Sequence, residues 1–249
     1  EENVLLLDIA NYKIDNEDYH DKEEIRQIHR ICCDRMNFMN NRAQPWVLPK
    51  EEITHTITVK YEFESEIEAE GTYLATEDAD VCKIIFNGQK IDHTTVGYFT
   101  DKAISKIPLP VLRKGTNVLE ITYPFGERTF LENCYILGEF NVKCEGCVKT
   151  ILPASKQIGF GDIVPQGLPF YGANITYEMN FETPDVCDAI INVTNYIGTV
   201  ITVSLDGQEV GTIAYSPYDL LVKNVSAGTH CVTFTLYGNR HNSFGELHL

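Results

Sequence analysis

The sequence has no apolar run that approaches the ~20 residues needed for a membrane-spanning helix. Its hydrophobic residues, 43% of the chain, are instead spread over short segments, as in globular proteins. We therefore expect no membrane partner.

Basic residues are scarce. There are 20 Lys and Arg against 36 Asp and Glu, which gives a formal net charge of −16, and no local Lys/Arg cluster offsets it. Because phosphate backbones and anionic lipid surfaces would be repelled, we expect no nucleic-acid partner. An acidic surface does not discriminate against a neutral ligand such as a sugar.

A second pair of Cys or His at metal-binding spacing is also missing. Cys144-Glu-Gly-Cys147 is a lone C-x-x-C, whereas a structural zinc ion needs four ligands. We expect a turn between two domains there, and no cofactor. A structural calcium ion on the acidic loop Glu77, Asp78 and Asp80 is the alternative, although Ca²⁺ takes about six to eight oxygen ligands.

The eight cysteines do not require a disulfide scaffold, because such scaffolds belong to short chains without a core. Cys32 lies in a predicted helix. Cys82, Cys187 and Cys231 lie in apolar strand-like runs, where a free thiol behaves as a small hydrophobe. Reduced thiols favour a cytoplasmic location, with secretion as the alternative.

What the chain does contain is a degenerate repeat. NVLEITY (117–123) follows Lys-Gly-Thr, and HCVTFTLY (230–237) follows Ala-Gly-Thr. Upstream, Asn87-Gly88 and Asp206-Gly207 each follow an apolar run and have the composition of two-residue hairpin turns. A repeat of this length, with short alternating strands between turns, predicts two tandem antiparallel β-sandwiches, an all-β fold of jelly-roll type.

The N-terminal segment has no counterpart in the second half. It contains an apolar strand at 3–7 and a predicted amphipathic helix, with Asp21 as its N-cap, Glu24 as the reciprocal partner and its end at Asn40-Asn41. The apolar stripe of this helix is Ile25, Ile28, Cys32, Met36 and Met39. We predict a docking segment or linker at 1–50, a first sandwich at 51–142 and a second at 143–249.

Carboxylates are plentiful but form no evident catalytic pair. Glu62, Glu64, Glu66, Glu68 and Glu70 alternate along one strand and its continuation, which predicts a solvated face. Hydrolysis of a glycosidic bond needs two carboxylates held roughly 5–10 Å apart. The motifs identify no such pair, and we assign no catalytic residue.

Aromatic and polar residues in loops are better candidates for a site. A sugar has an apolar ring face and hydroxyl groups, so its binding site combines an aromatic platform with polar partners. We predict Trp46 and Tyr171 as platforms and Arg240, His241 and Asn242 as hydroxyl partners. The alternative is that these aromatic residues pack between domains, and a single Trp is little for a dedicated carbohydrate-binding face.

Several short motifs, in this order, resemble the region that follows the catalytic domain in large bacterial glycoside hydrolases of the α-L-rhamnosidase-like and β-galactosidase-like kind. The motifs are NVLLLD at 3–8, QPW at 44–46, FNG at 86–88, KGTN at 114–117, LENCYILGEF at 131–140, QGLPFYG at 166–172 and YGNRHNSFGELH at 237–248. The resemblance spans nearly the whole chain. It implies β-sandwiches of the galactose-binding-like type, which also occur in modules that bind no sugar.

The resemblance implies a non-catalytic accessory region that supports a glycoside hydrolase and binds carbohydrate. The expected partners are a carbohydrate and an upstream catalytic domain, and we expect the chain to be a fragment that is not an enzyme by itself. Two alternatives stay open: an autonomous glycosidase that uses loop Asp/Glu pairs, and a protein-interaction or purely structural β-sandwich module.

Overall fold

A computed structural model describes residues 1–38, 52–239 and 241–244. Within these ranges the chain is all-β apart from one α-helix and a short 3₁₀ turn, which confirms the predicted fold class. Two compact units are formed. Among the described residues, the first comprises Glu2–Phe170 and Phe244, and the second comprises Tyr171–Ser243 together with Glu1.

The first unit contains strands β1 to β13 and the helix α1. Their bounds are β1 Asn3–Leu7, β2 Ile9–Ile14, β3 His20–Glu24, α1 Ile25–Met36, β4 His55–Ser65, β5 Tyr73–Thr76, β6 Lys83–Phe86, β7 Gln89–Lys90, β8 Gly97–Phe99, β9 Asp101–Pro108, β10 Gly115–Phe125, β11 Cys134–Gly138, β12 Asn141–Glu145 and β13 Val148–Leu152.

These strands form two sheets. One has the order β1-β11-β5-β9-β8, and the other has the order β12-β13-β4-β10-β6-β7, with β2 paired to β4 and β3 paired to β2. Strands β4 and β10 pair antiparallel along their whole length, from Gly115 opposite Ser65 to Phe125 opposite His55. Apolar side chains of both sheets and of α1 belong to a single buried core.

Strand β4 is one of the predicted short alternating strands, and its apolar residues follow the alternation, although Thr58 is buried as well. Ile57, Val59, Tyr61 and Phe63 are buried, since every second side chain of a strand points to the same face. The partner strand β10 buries its own alternate residues in the same core.

The described N-terminal elements, for which we predicted a docking segment or linker, are part of the first unit. Strand β1 pairs with β11, and β2 pairs with β4. Residues 3–7 are all buried because β1 lies in the sheet with its side chains in the core. Strands β12 and β13 also belong to this unit, so the boundary between the units lies at 170/171, whereas we predicted 142/143.

The predicted helix is present, but its ends differ from the prediction. Asp21 lies in β3, and the N-cap is Glu24, whose Oε2 accepts hydrogen bonds from the backbone N–H groups of Arg26 and Gln27 at 3.1 Å. The helix ends at Met36, because Asn37 adopts the left-handed conformation that Asn tolerates at a C-cap. The predicted end at Asn40-Asn41 and the stripe residue Met39 lie outside the described residues.

The second unit contains strands β14 to β19 and, from the 3₁₀ turn Asn242–Phe244, the residues Asn242 and Ser243. The strands are β14 Ile175–Thr183, β15 Cys187–Asn192, β16 Val200–Leu205, β17 Gln208–Ile213, β18 Asp219–Val225 and β19 Gly228–Tyr237. They form a four-stranded sheet of order β14-β19-β16-β17 and a two-stranded sheet of β15 and β18. Their core has the buried residues Ile201, Val203, Ile213 and Val232, with partly buried neighbours such as Phe234.

The two predicted hairpin turns are confirmed. Asn87 and Gly88 have φ values of 49° and 81°, and Asp206 and Gly207 have 50° and 78°. Positive φ at both central residues defines the type I′ turn, whose twist suits a two-residue hairpin. Both turns occur between corresponding strands, β6–β7 and β16–β17.

Across the described ranges, no helix is both long and apolar enough to cross a membrane.

Candidate functional site

The candidate site lies in the second unit, where the segment before β14 meets the segment after β19. These strands pair antiparallel, with Ile175 opposite Leu236. Antiparallel pairing places the beginning of one strand beside the end of the other. The segment 171–174 and the described residues 238, 239 and 241–243, which are far apart in sequence, therefore lie at the same edge.

Two glycines allow these segments to approach closely. A Cβ on Gly172 would lie 2.3 Å from Ser243 Oγ and 2.8 Å from the carbonyl oxygen of Asn239. A Cβ on Gly238 would lie 2.3 Å and 2.4 Å from the carbonyl oxygens of Ala173 and Gly172. Any other residue would force the backbones apart, so this contact explains why glycine occurs at both positions.

Local hydrogen bonds fix the two segments. The Asn174 side chain accepts a hydrogen bond from the backbone N–H of Gly238 at 3.2 Å, and the Tyr171 hydroxyl donates to the Asn174 carbonyl at 3.3 Å. The backbone N–H of His241 donates to Asn239 Oδ1 at 3.0 Å, which closes a short turn. The site is therefore made of ordered loops tied to one sheet edge.

The structure brings three of the five predicted site residues to this edge. Tyr171 is half-buried, and its partial burial raises the pKa of its phenol. His241 is exposed, and Asn242 is half-buried in the 3₁₀ turn. Trp46 and Arg240 lie outside the described residues, so their predicted roles stay predictions.

Ser243 is a residue of this edge that the sequence analysis did not single out. It is 1% exposed, and its hydroxyl has no hydrogen-bond partner among the described residues. A hydroxyl of this kind has unused donor and acceptor capacity. In the sequence, only its position two residues after His241 could have indicated that Ser243 belongs to this edge.

A group of carboxyls in the first unit has raised pKa values. Burial is the main cause for Glu77, followed by the charges of Glu132, Asp78 and Asp101. Burial also raises the pKa of Glu132, which the charge of Arg26 partly opposes. Among the described residues, no group of three or more His, Cys, Asp or Glu is arranged to hold a metal ion.

The thiols differ in burial: four are buried, three are exposed, and Cys231 is intermediate. All eight described cysteines are free, and Cys32, Cys33, Cys82 and Cys134 are buried. Burial raises the pKa of Cys32 to about 12, so this thiol stays protonated at neutral pH. The expectation for Cys187 was wrong, because it is exposed at the start of β15, at the end of its sheet.

The C-x-x-C motif forms the turn of the β12–β13 hairpin, inside the first unit rather than between the units. Glu145 pairs with Val148, and Gly146 has a φ of 59°. Cys144 and Cys147 are both exposed.

No protein-family profile matches the chain, and no curated protein matches it. Among solved structures it is similar to a GH2 beta-galacturonidase from Eisenbergiella tayi, with a TM-score of 0.32 and 8% identity, over 92% of this chain and 36% of that one. It is also similar to a rhamnosidase from Novosphingobium sp. PP1Y, with a TM-score of 0.28 and 12% identity, over 89% of this chain and 23% of that one.

A third similar structure is an anti-sigma factor domain-containing protein, with a TM-score of 0.26 and 10% identity, over 94% of this chain and 91% of that one. The chain thus spans about a third of the galacturonidase, about a quarter of the rhamnosidase and most of the third protein. With TM-scores this far below 0.5, these similarities assign neither a family nor an activity.

Proposed function

We propose that this chain is a non-catalytic, carbohydrate-binding accessory region of a glycoside hydrolase. The observation that carries the proposal is the meeting of residues 171–174 with the described residues 238, 239 and 241–243 at one sheet edge, which gathers Tyr171, His241 and Asn242. The association with a glycoside hydrolase is supported by the ordered motifs of the sequence, and the partner would be the catalytic domain of that enzyme.

The chemistry of these side chains suits a sugar. A half-exposed phenol ring offers an apolar face to the C–H groups of a pyranose. An imidazole and a carboxamide supply both donors and acceptors for hydroxyl groups. Because the loops are already ordered by hydrogen bonds, little conformational entropy would be lost when a sugar binds.

Isothermal titration calorimetry with glycans that carry rhamnose or galactose tests this proposal. We expect saturable binding at this edge, which Tyr171→Ala abolishes and His241→Ala weakens about tenfold, since one hydrogen bond to a ligand contributes about 1 kcal/mol or more. Tyr98→Ala is the matched control, because it removes an exposed Tyr, 58% accessible, from the first unit. Equal binding by the Tyr171 and Tyr98 variants would contradict the assigned platform.

A second candidate function is an autonomous glycosidase, and the carboxyls Glu77 and Glu132 favour it. Each has a raised pKa, and the charge of Glu132 contributes to the shift of Glu77. A carboxyl with a raised pKa suits the role of general acid, so these two residues are candidates for the acid and not for the ionised carboxylate that hydrolysis also needs.

Release of nitrophenol from a panel of nitrophenyl glycosides tests this candidate. Activity that is lost in both Glu77→Gln and Glu132→Gln but kept in Glu127→Gln would favour an enzyme. Absence of activity in the unchanged chain would rule it out. Absence of both activity and glycan binding would leave a protein-interaction or structural module.

A further inference from the structure

A cavity of about 350 Å³ lies in the first unit, at the end of the sandwich where three connections converge. It is lined by residues of the β4–β5 connection, the β6–β7 turn and the β9–β10 connection. The polar lining residues are Glu68, Asn87, Gln89 and Arg113, and Val111 and Leu112 are among the apolar ones. This volume is at the low end of the range of about 300–1,000 Å³ for small-molecule pockets, so it suits a single sugar ring.

The walls of the cavity are fixed by a buried amide. Asn117 is fully buried, and its Oδ1 accepts hydrogen bonds from Asn87 Nδ2 at 2.8 Å and from the backbone N–H of Arg113 at 3.0 Å. Ala69 and Leu112 exchange two backbone hydrogen bonds, which join the β4–β5 connection to the β9–β10 connection. All three connections are therefore held in place without a ligand.

The cavity also contains two charges that do not neutralise each other. Neither Glu68 nor Arg113 forms an ion pair with any residue in the part of the chain that the structure describes, and both are exposed. Arg113 Nη2 donates to the Asn87 carbonyl at 2.8 Å, which orients the guanidinium. The remaining guanidinium donors, the Glu68 carboxylate and the Gln89 amide stay available to a ligand.

We propose that this cavity binds one neutral monosaccharide ring, with Arg113 and Glu68 as partners of neighbouring hydroxyl groups. Hydroxyls both donate and accept, so they can satisfy a carboxylate and a guanidinium at the same site. The exposed Val111 offers an apolar contact for the C–H groups of the ring. This inference rests on the proposed sugar binding, but it concerns a different site from the edge formed by Tyr171 and His241.

The carboxylate of Glu68 also predicts selectivity. A uronic acid would gain an ion pair with Arg113 but would bring its own carboxylate close to Glu68. The net charge of −16 adds to this repulsion. We therefore expect galactose or rhamnose to bind better than glucuronate.

Chemical-shift titration of the ¹⁵N-labelled full chain with galactose, rhamnose, glucuronate and serine tests the proposal. We expect weak binding, with dissociation constants of about 1 mM or more, because few groups are engaged. The amide signals that move should be those of Gln89, Val111 and Arg113. Shifts confined to residues 171–174 and 238–243 would overturn the cavity site while leaving the proposed function intact.

Two pairs of variants provide matched controls. Arg113→Ala and Glu68→Ala should weaken sugar binding at the cavity, followed by the amide signals of Gln89 and Val111, about tenfold or more. Lys114→Ala and Glu66→Ala remove the same charges from neighbouring positions that do not line the cavity, and they should leave binding unchanged. Equal losses in both members of a pair would overturn the assigned contacts.

Glu68→Gln provides a separate readout, because it should increase glucuronate binding by removing the like charge. Glucuronate binding as strong as galactose binding in the unchanged chain would overturn the selectivity. A response to serine alone, whose ammonium and carboxylate could pair with Glu68 and Arg113, would overturn the sugar as ligand.

Discussion

The two units hold the same hairpin turn with different side chains. In the first, Asn87 Oδ1 accepts a hydrogen bond from the backbone N–H of Val118 at 2.9 Å. In the second, Asp206 Oδ1 accepts the corresponding bond from the backbone N–H of Cys231 at 2.9 Å. Each turn is thereby fastened to the neighbouring long strand, β10 or β19.

The residue that precedes the N–H donor, Val118 or Cys231, differs more between the two units. In the first unit it is Asn117, whose Nδ2 donates to the carbonyl oxygen of Arg113, four residues earlier, at 2.8 Å. In the second it is His230, whose Nε2 lies 2.9 Å from the carbonyl oxygen of Ser226, also four residues earlier. His230 Nδ1 lies 2.6 Å from Asp206 Oδ2.

The two copies therefore share the geometry but not the chemistry of this contact. The first uses two neutral amides, which do not titrate, whereas the second uses a carboxylate and an imidazole, which do. The hydrogen bonds also confirm that the two sequence repeats were aligned correctly, since Asn117 and His230 both precede the strand residue that binds the turn. What differs is the dependence of the contact on pH.

The largest expected difference between the units concerns the residue before each turn. Phe86 is fully buried, whereas the corresponding Leu205 is only partly buried. We expect Phe86→Ala to lower the free energy of unfolding of the first unit by about 3–5 kcal/mol, through lost burial and a cavity. Leu205→Ala should cost the second unit about 1–2 kcal/mol, because less apolar area is buried there.

Hydrogen exchange followed by mass spectrometry checks both values, because peptides from each unit report that unit separately. Protection should fall in peptides of the changed unit. A larger loss for Leu205→Ala than for Phe86→Ala would contradict the difference in packing between the two cores.

The fold could be predicted from the sequence where a pattern is local. Alternation along β4 identified its buried face, and Asn87-Gly88 and Asp206-Gly207 identified their hairpins. The helix start was misjudged because Asp21 and Glu24 have the spacing of a capping box, yet pairing of β3 with β2 continues to Glu24 and delays the helix. Pairing between distant strands has no signal in a single sequence.

For the candidate sites, too, the sequence indicates single residues but not which of them come together. Composition singled out Tyr171, His241 and Asn242, and only the β14–β19 pairing places them together. Arg113 was not singled out, because its role depends on a cavity that three separate connections enclose. Glu68 was predicted to belong to a solvated face, which its exposure supports, but the cavity beside it has no local pattern.

A smaller loss is expected when the amide of the first unit is removed. Asn117→Ala should lower the free energy of unfolding of that unit by about 1–3 kcal/mol, because it leaves the part-buried Asn87 amide and the backbone groups of Arg113 without their partner. Thr116→Ala is the control, since Thr116 is exposed and should cost at most about 1 kcal/mol. Equal losses in urea denaturation would show that the amide does not hold the turn.

The smallest expected effect is a pH dependence confined to the second unit. The hydrogen bond with Asp206 raises the pKa of His230, with a further contribution from the Ser226 carbonyl. The same bond lowers the pKa of Asp206. Because both ring nitrogens face acceptors, only the protonated imidazole can donate both hydrogen bonds.

The direction in which pH changes the stability of this contact follows from the two pKa shifts. The contribution of His230 is complete below its unfolded pKa of about 6.5 and is lost as the pH rises through its higher folded value. The contribution of Asp206 is present above its unfolded pKa of about 3.9 and is lost as the pH falls through its lower folded value. The contact should therefore be strongest between these limits, on the acidic side of neutrality.

The double substitution Asp206→Asn and His230→Asn gives the second turn the two amides of the first. Hydrogen exchange of a peptide from β19, corrected for intrinsic rates, should lose protection between pH 6 and about pH 8 in the unchanged chain. The doubly substituted chain should show no such loss, and a peptide from β10 is the internal control because its turn is held by Asn87 and Asn117. A loss that persists after both substitutions would assign the pH dependence to another group. An equal loss of protection in the β10 peptide would show that the pH dependence does not come from the charged pair Asp206 and His230.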